Sequence, residues 1–480
     1  ILWSQPATLN LNQRGAWFRG VAGDWRYQWQ AAPHDGQGRY RLYDVTDPLA
    51  PVALVGATSA GFEDGPAAHA YLLAGPGVEH EPAVQAHQRV VFTGAPGAEA
   101  IYIAPAQFIP ALEPLLAHRR AQGYSATAVD VQQIYDAWSY GHASAEAIRT
   151  FLRFARSHWP QPPIAVVMVG DGTWDPHNYE NRDHYTNFVP PYVARVDPWL
   201  GEAACENCYA QLDGDDPLTG DQLTGGPGAF FATDIWIGRF PVKSVAELDH
   251  VVDKLLRYES DTSPGAWRNV SLFLADNFIR RIDDEGNAVR DPVGDFARMS
   301  DLVIRRALCA QVGALPGCDF TGQNSELYVS PSALHEQIMQ LLAHASLRIV
   351  RHYYDPHPEE SEPTGMQPWR IPDARAAKEG ALAAMSQGAA VVVYAGHANH
   401  WQWGTLDSWA PTQPGEVLPG FLNLFEPDGL ANRDRLSIVL SMTCYTSQFH
   451  KPANSGTTLD ERMFLANGGA VAVWGSSGLS

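Results

Sequence analysis

The sequence predicts an α/β fold with two subdomains, each built on a parallel β-sheet, preceded by a small all-β domain. From residue 101 onward, short apolar runs alternate with amphipathic helical segments, which is typical of a parallel sheet covered by helices. Upstream, short runs rich in Tyr, Val and Leu are separated by clusters of Asp, Pro and Gly, which is typical of a small all-β domain. The length of 480 residues suggests about three domains, at roughly 100 to 200 residues each.

The N-terminal all-β domain is predicted to span residues 1–98. Its strand-like segments are residues 39–45, 52–55, 70–73 and 89–93. Turn-forming pairs such as Asp47-Pro48 separate these segments. The loop Gly-Ala-Pro-Gly at residues 94–97 marks the boundary before the pattern changes. We expect this domain to be either a retained pro-segment or a partner-docking module.

The first α/β subdomain is predicted over residues 99–265. Strands are predicted at residues 101–104, 125–129 and 164–169, and helices at residues 112–122 and 145–158. Ser144 stands where the second of these helices needs an N-cap. Further on, Ser244 and Glu247 have the spacing of a capping box, which predicts a third helix that closes near residue 259.

The second α/β subdomain is predicted over residues 266–480. Its apolar runs are residues 272–275, 389–394, 436–440 and 470–474, and its helices lie near residues 296–307 and 333–345. Continuous apolar runs of this length are typical of buried strands in a parallel sheet. Because open parallel sheets place their sites at the carboxyl ends of their strands, the residues that follow these runs are the first candidates for function.

The charge of the chain limits the classes of partner. The 33 basic and 53 acidic side chains give a net charge of −20, which repels both nucleic-acid phosphates and anionic lipid headgroups. With 45% hydrophobic and 18% charged residues the chain is predicted to be globular. No apolar run approaches the roughly 20 residues of a membrane-spanning helix. We therefore expect neither nucleic-acid binding nor a membrane span.

The five cysteines divide into two pairs and one single residue. Cys205 and Cys208 lie in the motif Cys-Glu-Asn-Cys, Cys309 and Cys318 bound a short segment, and Cys444 stands alone. This division is typical of a secreted protein with two short-range disulfides and one free thiol. A zinc or redox site at the first pair is the alternative, but zinc needs four ligands at a recognisable spacing. Disulfides are therefore the favoured prediction.

The single cysteine and a histidine each follow a predicted strand of the second sheet. His397 comes after the run 389–394, and Cys444 comes after the run 436–440. A thiolate is a strong nucleophile, and a nearby imidazole can accept its proton and later protonate a leaving amine. Taken alone, a cysteine after an apolar strand is usually a small buried side chain. The joint placement of both residues at one sheet edge is what predicts a catalytic pair.

Longer motifs around these two residues resemble the gingipain family of cysteine peptidases. They are Tyr-Ala-Gly-His-Ala-Asn at residues 394–399 followed by Trp403, Ser-Met-Thr-Cys at 441–444, Leu-Asp-Glu-Arg at 459–462 and Gly-Gly-Ala-Val-Ala-Val at 468–473. Upstream, Val-Gly-Asp at 169–171, Ile-Gly-Arg-Phe-Pro at 237–241 and Tyr-Glu at 258–259 resemble the first, non-catalytic subdomain of that family. The resemblance covers roughly residues 99–480.

The resemblance implies a caspase-like fold, a secreted or cell-surface location and a catalytic dyad of Cys444 and His397. The third, acidic member in this family follows the first strand of the catalytic subdomain, and Asp276 matches that position, where it would orient His397 or stabilise its charge. Ala398 replaces the second glycine of the family's Gly-His-Gly motif. This replacement keeps the backbone N–H as a donor but narrows the access of a substrate to the site. Ala398 and Trp403 are therefore predicted to bind the substrate, and the N–H groups of Ala398 and Cys444 to face the oxyanion.

Substrate preference is predicted from one acidic residue. In arginine-specific relatives, an acid at the start of the next helix pairs with the guanidinium of the substrate residue before the cleaved bond. Asp295 matches that position, and a carboxylate is a good partner for arginine. The alternative is an ordinary helix N-cap, which the helix dipole also favours.

A cluster of acidic residues in the first α/β subdomain offers oxygen ligands to a cation. It consists of Asp213, Asp215, Asp216 and Asp221. The family that the chain resembles binds calcium, so a structural Ca²⁺ is predicted here. The cluster lacks the terminal glutamate of an EF-hand loop, and a solvated acidic loop is the alternative.

These observations together predict a secreted cysteine endopeptidase that acts on proteins or peptides through a thioester and needs no cofactor for its chemistry. A transpeptidase of the same family, which attaches proteins to the cell surface, and an inactive binding module are the alternatives. The chain ends shortly after its last predicted strand, whereas the family continues with further structure. We therefore expect a C-terminal fragment or a second chain to complete the catalytic subdomain.

Overall fold

The computed structural model describes most of the chain. The described residues are 15–28, 41–54, 61–74, 91–182, 186–197, 199–213, 233–261, 265–313, 315, 317–321, 329–361, 367–406, 419–451 and 456–479. The chain divides into two compact units, Ile1–Gln88 and Arg89–Ser480. Within the described ranges, no helix is long and apolar enough to cross a membrane.

The first unit contains only β-strands among its described residues. They are β1 (Gly15–Arg19), β2 (Trp25–Gln28), β3 (Arg41–Asp44), β4 (Val52–Ala53), β5 (Gly61–Asp64) and β6 (Ala70–Ala74). They form two antiparallel sheets, in the orders β1-β6-β3-β4 and β2-β5. Phe62 packs with Leu42, Tyr71 and Leu73, and its ring stacks on Tyr27 with the centroids 4.7 Å apart. The predicted β-structure is therefore confirmed for this part of the chain, and its strand pairings are antiparallel.

One strand predicted near the domain boundary is not formed. Residues 91–93 are irregular, and residues 89 and 90 lie outside the described part of the chain. The proposed division of the chain at residues 98 and 265 remains a prediction.

The second unit begins with a four-stranded sheet. Its strands and helices are β7 (Ala100–Ala104), α1 (Ile109–Ala121), β8 (Ala126–Asp130), α2 (Val131–Trp138), α3 (Ala145–His158), β9 (Ala165–Val169), β10 (Val193–Asp197), β11 (Gly201–Ala204), α4 (Glu206–Ala210), β12 (Trp236–Phe240) and α5 (Val245–Ser260). The sheet has the order β12-β9-β7-β8, and all of its pairings are parallel. Strands β10 and β11 form a separate antiparallel hairpin.

The helix starts in this subdomain follow the predicted capping residues. The Ser144 side chain accepts a hydrogen bond from the N–H of Ala147 at 3.2 Å, at the start of α3. Ser244 accepts one from the N–H of Glu247 at 3.2 Å, at the start of α5. The predicted capping box is only half formed, because the Glu247 carboxylate binds the N–H of Lys243 at 2.6 Å in place of the N–H of Ser244.

A six-stranded sheet follows in the same unit. Its strands, helices and small hairpins are β13 (Val270–Ala275), β14 (Ile279–Ile282), β15 (Ala288–Arg290), α6 (Phe296–Val312), α7 (Pro331–Leu342), β16 (Arg348–Tyr354), α8 (Pro358–Ser361), β17 (Arg370–Ile371), α9 (Ala374–Gln387), β18 (Val391–Ala395), β19 (Ala398–Asn399), β20 (Gln402–Trp403), β21 (Leu422–Asn423), β22 (Ser437–Met442), α10 (Leu459–Leu465) and β23 (Ala470–Gly475). The sheet order is β17-β16-β13-β18-β22-β23, and all of its pairings are parallel. The predicted α/β fold with two parallel sheets is confirmed.

Strand β16 and helix α9 were not predicted from the sequence. Strand β16 carries charged residues that interrupt its apolar pattern. Arg351, one of these, donates to Asp301 at 3.1 Å and lies 3.8 Å from the centroid of the Trp369 ring. Its charge is therefore accommodated by a partner that no short-range pattern reveals.

The two α/β subdomains share a hydrophobic core. Tyr102 and Val251 of the first pack in one cluster with Leu436, Phe464 and Val471 of the second. Such burial of apolar side chains is the main favourable contribution to folding. Strands and helices of the second subdomain therefore pack directly against the first subdomain.

A buried lysine at this junction completes the hydrogen bonding of the backbone. Lys254 of α5 is 1% exposed, and its Nζ donates to the carbonyl oxygens of Phe464 at 2.8 Å, Ala466 at 2.6 Å and Gly468 at 3.1 Å. These carbonyls lie at the end of α10 and in the turn before β23. The ammonium group therefore satisfies acceptors that the helix itself leaves without a partner.

Replacing this lysine is expected to weaken the junction. Lys254→Met keeps the length of the side chain but leaves three buried carbonyls without their donor, so the free energy of unfolding should fall by about 2 kcal/mol or more. The shift of the urea midpoint measures this change. The exposed Lys451→Met is the control and should change the free energy by less than about 0.5 kcal/mol. Equal effects of both substitutions would contradict the assigned role.

Candidate functional site

The candidate site lies at the carboxyl edge of the six-stranded sheet. Strands β18 and β22 are parallel neighbours, and Ala395 pairs with Met442 in their register. His397 and Cys444 each lie two residues beyond this pair. The Thr443 hydroxyl donates to the carbonyl oxygen of Gly396 at 2.6 Å and ties the two loops together. Since neighbouring strands are about 4.8 Å apart, the two predicted residues emerge side by side.

Cys444 is half-buried and is not part of a disulfide. The next residue, Tyr445, has a φ of 60°, in the left-handed region that non-glycine residues seldom adopt. Its N–H donates to the carbonyl oxygen of Gly478 at 2.9 Å. The chain therefore turns sharply immediately after the thiol, and a residue from the C-terminal segment holds the turn.

The imidazole of His397 pairs with a carboxylate that the sequence did not single out. Its Nε2 lies 2.7 Å from Oδ2 of Asp291, whose side chain is 1% exposed. The Nε of Arg280 donates to the same oxygen at 2.8 Å, and its Nη2 lies 3.3 Å from the imidazole Nε2. The hairpin β14–β15 presents both residues, because Arg280 lies on β14 and Asp291 directly follows β15.

The environment of Asp291 favours its charged form. Burial opposes ionisation, but the N–H of Val293, the imidazole of His397 and the charge of Arg280 together hold the pKa of Asp291 below its usual value. A carboxylate with a lowered pKa stays ionised as the pH falls until that pKa is reached. Asp291 is therefore a negative partner for the imidazole at neutral pH.

The backbone of His397 is fixed from several directions. Its N–H donates to Oδ2 of Asp276 at 3.3 Å. Its carbonyl oxygen accepts the hydroxyl of Tyr394 at 2.6 Å and the N–H of Gly404 at 2.7 Å. A side chain at Gly396 would place its Cβ only 2.5 Å from Cβ of Asp276. The loop that carries the imidazole therefore passes close to Asp276 and requires a glycine there.

Asp276 follows β13 directly, at the position predicted for it, and its role as the acidic partner of His397 stays a prediction. Its Oδ2 accepts the backbone N–H of His397, and a second carboxylate, that of Asp291, lies beside Nε2 of the ring. The signal that was available for Asp291 is the turn at residues 283–286, Asp-Asp-Glu-Gly, between two short runs, which is typical of a hairpin.

The residues predicted to bind substrate lie in three different environments. Trp403 has no exposed surface and stacks on Tyr394, with the ring centroids 4.7 Å apart. The indole packs beneath the loop within the core, and a direct contact of Trp403 with the substrate stays a prediction. Ala398 is half-buried beside His397. Asp295 caps α6 by accepting from the N–H of Arg298 at 2.9 Å, and burial raises its pKa.

The cap of Asp295 is the structural alternative that the sequence had left open. The charged groups near its carboxylate are Arg370, Asp355 and Asp301. The positive charge near Asp295 comes from Arg370 of the protein itself. The contacts of Asp295 therefore do not by themselves indicate a pocket for a substrate guanidinium.

Most of the predicted calcium ligands lie outside the described residues. Asp215, Asp216 and Asp221 are among the residues that the structure does not describe. Asp213 is exposed, and its N–H donates to a carboxylate oxygen of Asp234 at 3.2 Å. Among the residues that the structure describes, no group of three His, Cys, Asp or Glu side chains is arranged to hold a metal ion.

The remaining cysteines form the two predicted disulfides. Cys205 is bonded to Cys208, and Cys309 is bonded to Cys318. Cys444 belongs to neither of these disulfides. With a charged carboxylate behind the imidazole and the thiol on the adjacent strand end, the arrangement has the parts of a nucleophile, a base and an orienting group.

Comparison with protein families gives one match, to the model described as peptidase family C25, over residues 94–480. No curated protein matches the sequence.

Solved structures with a similar fold include a complex of the pro- and mature domains of Porphyromonas gingivalis RgpB, with 15% sequence identity and a TM-score of 0.49 over 80% of this chain and 64% of that one. The Arg-specific cysteine proteinase gingipain R matches with 15% identity and a TM-score of 0.49, over 81% and 64% of the two chains. Dimeric latent PorU from Porphyromonas gingivalis matches with 18% identity and a TM-score of 0.33, over 48% and 23%. The chain thus spans 64% of the length of the RgpB structure.

Thiol titration tests the pairing of the cysteines. The denatured, unreduced protein should contain one free thiol, and the reduced protein should contain five, because the two disulfides remove four of the five cysteines. Mass spectrometry after alkylation should place the single label on Cys444. Labelling of Cys205 or Cys208 without prior reduction would contradict the first disulfide.

Proposed function

Because the chain belongs to peptidase family C25 and is a cysteine peptidase, we propose that it is an endopeptidase that cleaves proteins or peptides through a thioester on Cys444. The observation that carries this proposal is the matched position of two residues on neighbouring strands. Cys444 and His397 both lie two residues beyond the pair Ala395 and Met442. The imidazole in turn contacts a buried carboxylate, Asp291, at 2.7 Å.

In the proposed reaction, the imidazole of His397 accepts the proton of the Cys444 thiol, and the sulfur attacks the carbonyl carbon of the scissile bond. The C–N bond then breaks, and the imidazolium protonates the leaving amine. Water next attacks the thioester carbonyl carbon while the imidazole accepts a proton from it. The C–S bond then breaks, the imidazolium returns the proton to the sulfur, and the carboxylic acid is released. The negative charge of Asp291 stabilises the imidazolium during both halves of the reaction.

The backbone around the two residues has a second part in this proposal. The N–H groups of Cys444 and Ala398 stabilise the oxyanion, as peptide donors at such strand ends do in other acyl transfers. Asp276 supports this geometry, because it binds the N–H of His397 at 3.3 Å and fixes the start of the loop. Trp403 supports the same loop from within the core.

The proposed location is outside the reducing cytosol. Two disulfides are present, and such bonds persist in oxidising compartments. The substrate class follows from the family, since a peptidase acts on proteins or peptides. Structural calcium at the acidic segment that contains Asp213 is proposed on its carboxylates alone, and the chemistry itself uses no cofactor.

Removing the thiol tests the reaction class. Cys444→Ala should cleave no member of a generic peptide library, because the nucleophile is absent, while its unfolding midpoint stays close to that of the parent. Iodoacetamide should inactivate the parent protein in proportion to the labelling of Cys444. Cleavage by the alanine variant at the parental rate would refute the proposal.

Removing the charge behind the imidazole tests the assignment of Asp291. Asp291→Asn should lower kcat by about 100-fold or more, since an amide does not stabilise the imidazolium and favours the wrong tautomer of the ring. Asp284→Asn, an exposed residue in the same hairpin, is the matched control and should keep the parental kcat. If Asp291→Asn keeps its activity and Asp276→Asn loses it, Asp276 is the orienting carboxylate.

A further inference from the structure

The hairpin β10–β11 of the first α/β subdomain contacts the C-terminal segment beside the candidate nucleophile. We refer to residues 476–479 as the C-terminal strap. The hydroxyl of Ser477 donates to the carbonyl oxygen of Ala204 at 2.7 Å, and the N–H of Leu479 donates to Oδ2 of Asp197 at 2.7 Å. Both acceptors belong to the hairpin, so the strap is bonded to the subdomain that carries no part of the proposed dyad.

The same strap holds the turn that follows Cys444. The carbonyl oxygen of Gly478 accepts the N–H of Tyr445 at 2.9 Å, and that of Ser476 accepts the N–H of Ser447 at 3.0 Å. The first of these bonds fixes the peptide group directly after Cys444. Tyr445 is in the left-handed conformation, with a φ of 60°, which persists only where the surroundings hold it in place.

Asp197 connects the hairpin and the strap through different oxygens. Its side chain is 6% exposed; Oδ1 accepts the N–H groups of Trp199 and Leu200, both at 2.8 Å, and Oδ2 accepts the N–H of Leu479. Burial opposes its ionisation, but the three N–H donors hold the pKa of Asp197 below its usual value. At neutral pH the residue is therefore a charged acceptor for two segments at once.

The close approach of strap and carboxylate depends on a glycine. A Cβ at Gly478 would lie 2.4 Å from Oδ2 of Asp197, which is closer than any van der Waals contact. Asp197 also interacts electrostatically with Tyr445. Asp197 binds the N–H of Leu479, and the neighbouring residue of the strap, Gly478, binds the N–H of Tyr445 in the turn that follows Cys444.

We propose that Asp197 is a positioning residue for Cys444: it anchors the C-terminal strap to the hairpin β10–β11, and the strap holds the Cys444–Tyr445 peptide group in its reactive orientation. The proposal rests on the function proposed above, because the orientation matters for attack by the thiol. It gives the first α/β subdomain a part in the reaction without any contact with substrate.

The substitution Asp197→Asn separates the two connections of this side chain. The amide oxygen continues to accept the N–H groups of Trp199 and Leu200, so the hairpin turn is retained. The amide nitrogen is a donor and faces the N–H of Leu479, so the bond to the strap is lost. The variant should fold with a melting temperature close to that of the parent, while kcat falls about tenfold and KM changes less than twofold.

Two controls distinguish positioning from a general loss of stability. Asp319→Asn alters another aspartate whose Oδ1 accepts a backbone N–H, that of Thr321 at 2.9 Å, and it should keep the parental kcat. Ser477→Ala removes the second bond between strap and hairpin and should lower kcat in the same direction as Asp197→Asn. A parental kcat in both Asp197→Asn and Ser477→Ala would overturn the proposal.

The rate of alkylation of Cys444 makes the test independent of peptide cleavage. Iodoacetamide should label the native Asp197→Asn protein at least threefold more slowly than the parent, because the thiol is less often in position to transfer its proton to His397. If the parent cleaves no peptide, the proposed function fails, and this rate still decides the role of Asp197. An unchanged alkylation rate, or a fall in kcat that parallels a fall in melting temperature, would contradict positioning.

Discussion

The register between the three central strands of the six-stranded sheet determines where the candidate residues emerge. Ala275 of β13 pairs with Ala395 of β18, which pairs with Met442 of β22. Asp276, His397 and Cys444 follow these residues within one or two positions. A shift of one residue in either pairing would send the following side chains to the opposite face. The buried apolar strands, which prevent such a shift, are therefore a requirement of the site as well as of the core.

The side chain of Arg239, on β12 of the first sheet, is buried and donates hydrogen bonds to backbone carbonyls and a carboxylate. Arg239 donates to Gly170 and Val189, both at 2.8 Å, and to Glu206, and it lies 4.7 Å from the ring centroid of Phe449. Phe449 belongs to the loop after Cys444. Buried charges are tolerated when their donors are satisfied, and here the satisfied arginine also positions a loop of the other subdomain. The subdomains are therefore connected by a cation–π contact in addition to the contacts between apolar side chains.

The sequence was sufficient to predict the apolar strands β7, β8, β9, β13, β18, β22 and β23, the disulfides and the placement of His397 and Cys444 at one edge. Apolar runs and the single residues that follow them are local signals. The partner of the imidazole was not predictable in this way. Asp291 approaches His397 through the fold of a short hairpin with charged residues on both strands, and neither apolar periodicity nor spacing indicates that approach. Trp403 was predicted to bind the substrate because it stands in a family motif. Its burial against Tyr394 depends on tertiary packing, which the motif does not indicate.

Asp291 directly follows a two-stranded hairpin outside the main sheet, while His397 and Cys444 follow two central strands of that sheet. A two-stranded hairpin has few strand pairings of its own, and single elements of a protein can open without unfolding of the whole chain. Opening of β14–β15 would withdraw Asp291 and Arg280 from His397 and leave the sheet intact. Amide hydrogen exchange in this hairpin would then report how often the site is assembled, and the resting protein would have an inactive state that is still folded.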